Sequence, residues 1–147
     1  MTSGPSHIKW LSAGIDEVPA DDSWIDTAMA KRFSRMRYTK RISEARLSRW
    51  AAKRAVAAAL GVRPDPENLR RIVIRNAPDG APEAFFDARA IDGVIAMTDR
   101  ADWAVCAIIA EGGGRVGCDL ELVEERSAAF VADYFTYQER QDRKSVV

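Results

Sequence analysis

At 147 residues, 47% hydrophobic and 30% charged, the chain has the composition of one globular domain and excludes a disordered or fibrous polymer. Lysine plus arginine and aspartate plus glutamate each total 22, so net charge offers no ground for a nucleic-acid or membrane-surface protein. The N-terminal MTSGPSHIKW lacks the basic start and apolar centre of a signal peptide, and no apolar run nears the ~20 residues that cross a bilayer, so the sequence reads as soluble and cytoplasmic.

In chain order, Ile8–Leu11 is a short strand. A helix capped by Asp22 or Ser23 runs to about Arg35. A longer helix covers Ser43 to Leu60, capped by Ser43 and stopped by Gly61, with Pro64 and Pro66 beyond. Arg71–Arg75 is a β-branched strand, and NAPDGAP after it is turn chemistry. Ala84–Asp87, Gly93–Thr98, Trp103–Ala110 and Arg115–Leu122 read as strands, the third apolar enough to be buried on both faces, with Glu111–Gly114 turning between the last two. Ser127–Tyr134 and the stretch from Thr136 onward read as helices. Helices followed by a strand meander predict an α+β fold, antiparallel strands packed with helices. Cys106 and Cys118 each sit in an apolar segment and suit a reducing compartment better than a disulfide scaffold.

Two charge patterns point to chemistry. Val116, Cys118, Leu120 and Leu122 alternate with Asp119 and Glu121, so in a strand both carboxylates share one face, about 7 Å apart at a rise of ~3.4 Å per residue. Like charges so placed invite a hard cation such as Mg²⁺, which takes one or two carboxylates and keeps places for water and phosphate oxygens; a plain solvated acidic face is the other reading. Between Lys31 and Arg54 lie Lys31, Arg32, Arg35, Arg37, Lys40, Arg41, Arg46, Arg49, Lys53 and Arg54 against Glu44 alone. Arg46, Arg49 and Lys53 share one helical face beside an apolar face of Leu47, Trp50, Ala51, Ala55 and Ala58. Such a cation excess suits a phosphate-rich ligand as well as it suits open solvent. Nucleic acid ranks lower, because no base-reading module is present. On this pattern Arg46 is a surface residue and Trp50 a core one.

The run from Gly117 to Glu139, GCDLELVEERSAAFVADYFTYQE, resembles the G-[VI]-D-[IL]-E signature and F-[ST]-x-x-E helix of the 4'-phosphopantetheinyl transferases. Trp103–Ala107 is similar to the strand that precedes that signature, and residues 35–61 to the family's basic helix. The order agrees from about Trp10 to Glu139 and is nearest the monomeric type that activates peptide and polyketide synthases, built from two similar halves. The resemblance implies half of a pseudo-twofold fold, with residues 1–122 as an N-terminal subdomain and 123–147 as the start of a truncated second one. It implies Asp119 and Glu121 as Mg²⁺ ligands and Glu139 as the catalytic acid that orients or deprotonates the attacking group. Coenzyme A, the substrate, would meet Lys31, Arg41, Arg46, Thr98 and Asp119. The partner would be an acyl or peptidyl carrier protein whose serine accepts phosphopantetheine; nucleic acid and membrane are not expected partners.

The sequence departs from the family in three places. The W-x-x-K-E motif expected beyond Glu139 is not there. Ala96-Met97-Thr98-Asp99 stands where Ser-x-[ST]-His would bring a histidine to a coenzyme phosphate. Gly80-Ala81-Pro82 replaces a Gly-Lys-Pro or Gly-Arg-Pro turn. These changes admit a non-catalytic module that binds a carrier protein or an anionic ligand, or a fragment that self-associates to cover the missing half.

Overall fold

A computed structural model describes residues 7–111 and 113–144. Within these residues the chain forms two three-stranded antiparallel sheets joined by one long helix. Strand β1 (Ile8–Gly14) leads through a 3-10 turn at Ile15–Glu17 to α1 (Thr27–Ser34) and α2 (Thr39–Leu60). After α3 (Pro66–Arg71) come β2 (Ile72–Asn76), β3 (Pro82–Phe86) and the two-residue β4 (Arg89–Ala90), paired in that order. Strands β5 (Val94–Arg100) and β6 (Trp103–Ile109) return to the first sheet, whose order is β1-β6-β5. The α+β class with antiparallel strands and packed helices is thus borne out. No helix of the described residues is long and apolar enough to cross a membrane.

The apolar run of β6 takes the centre of its sheet because both of its faces are covered. Ala104, Cys106 and Ile108 face α2, where Leu47, Ala51, Ala52 and Val56 are fully buried. Ala107 and Ile109 on the other face are also buried. The chain after β6 covers that side: Gly114 lies against Ile109, and Cys118 Sγ sits 3.9 Å from the Val105 carbonyl. Burial holds both thiols in their neutral form, pushing Cys106 up to about 12.

Residues 115–122 do not form the expected strand. Strand β6 is already paired along all seven residues with β1 on one side and β5 on the other, so its edges offer no backbone partners. The segment crosses the sheet face instead, and its pattern persists as far as Glu121: Val116, Cys118 and Leu120 are half-buried, Gly117, Asp119 and Glu121 exposed, but Leu122, expected inside, is exposed as well. The expected turn at Glu111–Gly114 includes Gly112, outside the described residues. Helices α4 (Ala128–Tyr134) and α5 (Tyr137–Lys144) add no described residue to either core cluster.

Helix boundaries also differ. Helix α1 starts after Asp26, whose Oδ1 accepts the Met29 amide at 2.9 Å, and not at Asp22 or Ser23. Helix α2 begins a turn before Ser43, without a side-chain cap, and ends as expected at Gly61 in the left-handed region, φ 69°. Pro66, read as a stop signal, opens α3 behind the cap Asp65; proline fits a first helical position, where its missing N–H has no partner to lose.

Deep in the core, Lys53 Nζ lies 2.7 Å from Asp26 Oδ2 and donates to the Trp24 and Leu69 carbonyls at 3.2 and 3.0 Å. The lysine side chain is wholly inaccessible. Burial pushes its pKa down and Asp26 pulls it back up. Asp26→Ala strips this ammonium of its counter-charge and should cost about 3–5 kcal/mol in urea unfolding. Replacing both, Asp26→Ser with Lys53→Met, keeps a cap and removes the stranded charge, and should recover most of that loss.

Candidate anion-binding cleft

The cationic stripe of α2 divides into three fates. Arg46, expected on the surface, is only 16% exposed. It pairs with Asp22 at 2.7 Å, donates to the Pro19 and Asp21 carbonyls at 2.7 and 3.0 Å, and lies over the Trp24 ring. It ties down the chain that enters α1, and its side chain is occupied as a phosphate ligand's would not be. Lys53 is internal. Arg49, between them, is nine-tenths buried and meets only Met97 Sδ at 4.0 Å among described partners. Burial, then the neighbouring Arg32, lowers its pKa, while Asp26 opposes them.

Arg49 opens into a cleft of about 330 Å³ at the junction of the two sheets. Arg32 of α1 and Ser48 of α2 form one wall, Asn76 and the Gly80–Pro82 turn another, and Met97 and Asp99 of β5 the floor. Gly80 has φ 89°, a conformation that an L side chain rarely adopts, and it lets the β2–β3 turn fold over the cleft. Strand alternation sends Asp99 toward α2, where Ser48 Oγ donates to it at 3.0 Å. Glu44 lines this cleft and also a second of about 400 Å³, where Lys40, Ser43, Arg100, Asp102 and Leu122 meet. The acidic segment therefore ends beside the first turns of α2.

The remaining expected site residues fall apart from this cleft. Lys31 is exposed in the last turn of α1, next to Arg32, and Arg41 is exposed over the Tyr38 ring. Thr98 points to the sheet face opposite Asp99. Asp119 and Glu121 are exposed, the Asp119 carboxylate accepting the Leu120 amide at 2.9 Å. No group of three or more His, Cys, Asp or Glu side chains gathers as a metal cage among the described residues. Glu139 closes a capping box: its Oε2 accepts from Thr136 N and Oγ1, both at 2.8 Å, while Thr136 Oγ1 accepts the Glu139 amide at 3.3 Å. Trp50, expected in the core, is half-buried and meets the fully buried Trp24 edge to face.

No protein-family model matches the chain, and no curated protein matches it in sequence. Solved structures do match. Holo-[acyl-carrier-protein] synthase from Neisseria meningitidis superposes with a TM-score of 0.58 at 20% identity, over 71% of this chain and 97% of that one. The holo-ACP synthase of Plasmodium yoelii superposes at 0.58 and 13% identity, over 74% and 96%. The chain has the fold of a holo-[acyl-carrier-protein] synthase. A Helicobacter pylori synthase in complex with coenzyme A aligns at 0.48 and 17% identity, too loosely to inform the cleft.

Two results are expected. Arg46→Ala should cost about 1.5–3 kcal/mol, the range for hydrogen bonds to a charged group, and not the ~0.5 of a surface site; urea unfolding checks it. The Thr136 bonds hold the Glu139 pKa below its ordinary 4.5. The cap is therefore fully present above about that pH and is lost as pH falls through the lowered value. The Thr136 amide followed by NMR should show this step, absent in Glu139→Ala.

Proposed function

We propose that this chain is a phosphopantetheinyl-transferase-like protein whose cleft binds the phosphate end of coenzyme A. One observation carries the reading. The basic helix, the Gly80–Pro82 turn and the Ala96–Asp99 strand are distant in sequence; the resemblance places the first and the last against the coenzyme and a cation in the turn. They converge on one cleft around two arginines that no described carboxylate neutralises by contact. The fold likeness to holo-ACP synthases supports the same reading. Within it, Arg49 and Arg32 supply the phosphate donors, and Lys31 and Arg41, exposed and outside the cleft lining, add long-range attraction for the anion.

Mg²⁺ suits the donor set of Asp119 and Glu121, two solvent-open carboxylates with room for water and substrate oxygens. When bound there, the ion would neutralise charge on a pyrophosphate. In the transfer, a carrier-protein serine Oγ bonds to the β-phosphorus. The bond from that phosphorus to the bridging oxygen breaks and adenosine 3',5'-bisphosphate leaves. Arg49 and Arg32 hold the departing nucleotide. Glu139 is the proposed acceptor of the serine proton, once it gives up its Thr136 bonds. Residues 123–147 would begin a second subdomain. The exposed Ile8, Trp10 and Trp103 on the outer sheet face would be covered by a second copy of the chain, in the cytoplasm.

The test is coenzyme A binding by calorimetry, followed by mass spectrometry of an apo carrier protein. Arg49→Gln should weaken binding by about 1.5–3 kcal/mol, the cost of losing a charge-assisted bond. Asp119→Ala should leave binding without metal unchanged and abolish its response to added Mg²⁺. Binding without a mass shift on the carrier would make the chain a coenzyme-binding module, and no binding would end this reading.

A further inference from the structure

Among the described residues the Arg49 cleft is lined by two basic and two acidic side chains, Arg32 and Arg49 against Glu44 and Asp99. Ala81, at the head of the turn above, brings no charge. Arg49, 91% buried by its 9% exposure, has no carboxylate contact among the described residues and so calls for an anion. Asp99 has the opposite need. Its carboxylate only accepts hydrogen bonds, and Ser48 supplies one, which leaves capacity for a ligand donor. A ligand that satisfies both ends carries a phosphate and, close to it, a free hydroxyl.

We propose that this cleft reads a sugar hydroxyl at Asp99 and a phosphate at Arg49, so that the coenzyme form it prefers is dephospho-coenzyme A, which lacks the 3'-phosphate. The proposal rests on the coenzyme reading above and sharpens it. In dephospho-coenzyme A the ribose presents two adjacent hydroxyls, both donors that a carboxylate can accept. In coenzyme A one of them is replaced by a dianion, which Asp99 repels and for which the described lining, two basic and two acidic side chains, has no surplus cation. The same division of labour separates dinucleotide sites, where an acid binds a ribose hydroxyl and an arginine accommodates a phosphate at that position. Ser48 fixes the Asp99 side chain for this purpose, and Glu44 adds a second negative charge to the same wall.

Calorimetry of the full chain with coenzyme A and with dephospho-coenzyme A, without metal at about 0.15 M salt, decides it. Dephospho-coenzyme A should bind about tenfold tighter or more, a difference of about 1.4 kcal/mol. Asp99→Asn should shrink the gap to about threefold or less. Asp99→His should reverse it, more at about pH 6 than at pH 8, since histidine charges near 6.5. Thermal melts report whether these variants fold, and the wild-type comparison stands without them. If the wild type binds coenzyme A as tightly as dephospho-coenzyme A, this inference falls while the coenzyme reading survives. If Asp99→Asn keeps the full preference, Asp99 is not its origin and the inference falls as well. If neither ligand binds, the coenzyme reading fails first and takes the inference with it.

Discussion

The ammonium of Lys53 is the tie on which the rest of the molecule depends. Its three acceptors come from three places in the chain: the Trp24 carbonyl before α1, the Asp26 carboxylate that caps α1, and the Leu69 carbonyl at the end of α3. A buried charge is costly unless every donor is satisfied, so only one placement of α2 relative to these segments keeps the energy down. Apolar packing alone would allow α2 to slide or rotate on the sheet, because its inner face is largely alanine: Ala51, Ala52, Ala55 and Ala57. The ion pair selects among those placements. Trp24 shares in this, lying close to Lys53, Arg46 and Trp50 at once.

That placement creates the cleft. Arg49 is four residues before Lys53 and lies on the same helical stripe, one turn nearer the amino end. Arg46 is three residues further on the same side. The two ends of the stripe bind residues 19–26, wrapping that segment against the helix, while the middle, Arg49, has no carboxylate contact among the described residues and faces the space under the β2–β3 turn. A cation held between two anchored neighbours loses little freedom when a ligand arrives, which favours binding.

The fold class and the main elements were legible because apolar β6 and the long α2 carry strong periodic signals, and Gly61 stops α2 as its conformation demands; the short α3 and β4 were not anticipated. The failures have identifiable causes. Alternation separated inner from outer residues over 116–121, though Leu122 is exposed, but it is blind to whether a strand has a free edge to pair with; here β6 had none left. The basic stripe was read as one surface because a helical wheel shows direction and not what stands opposite. Arg46, Arg49 and Lys53 look alike on the wheel, and only the fold tells that Asp22 and Asp26 occupy the two flanking ones. The signal that could have found Arg49 was the acid distribution: Asp21, Asp22 and Asp26 form a short run able to claim two or three cations from a facing helix.

Short motifs carry the same ambiguity. Trp50-Ala51-Ala52-Lys53 spells W-x-x-K in the middle of α2, followed by Arg54 where the family pattern has glutamate. Read by letters it is a fragment of a catalytic motif displaced along the chain. Read by burial it is a core element: the lysine is sealed from solvent by Asp26 and two carbonyls, and the half-buried tryptophan packs edge to face on Trp24. Phe135-Thr136-Tyr137-Gln138-Glu139 behaves alike, since a threonine followed three residues later by glutamate is a helix cap whatever else it does. Both motifs are stable local solutions that a chain keeps for its own folding. Asp99 differs in that the fold asks little of it: it is exposed with one hydrogen bond. A residue under weak structural demand beside a strong buried cation is free to answer to a ligand, so under the proposed coenzyme reading the charge at position 99 discriminates more than either motif.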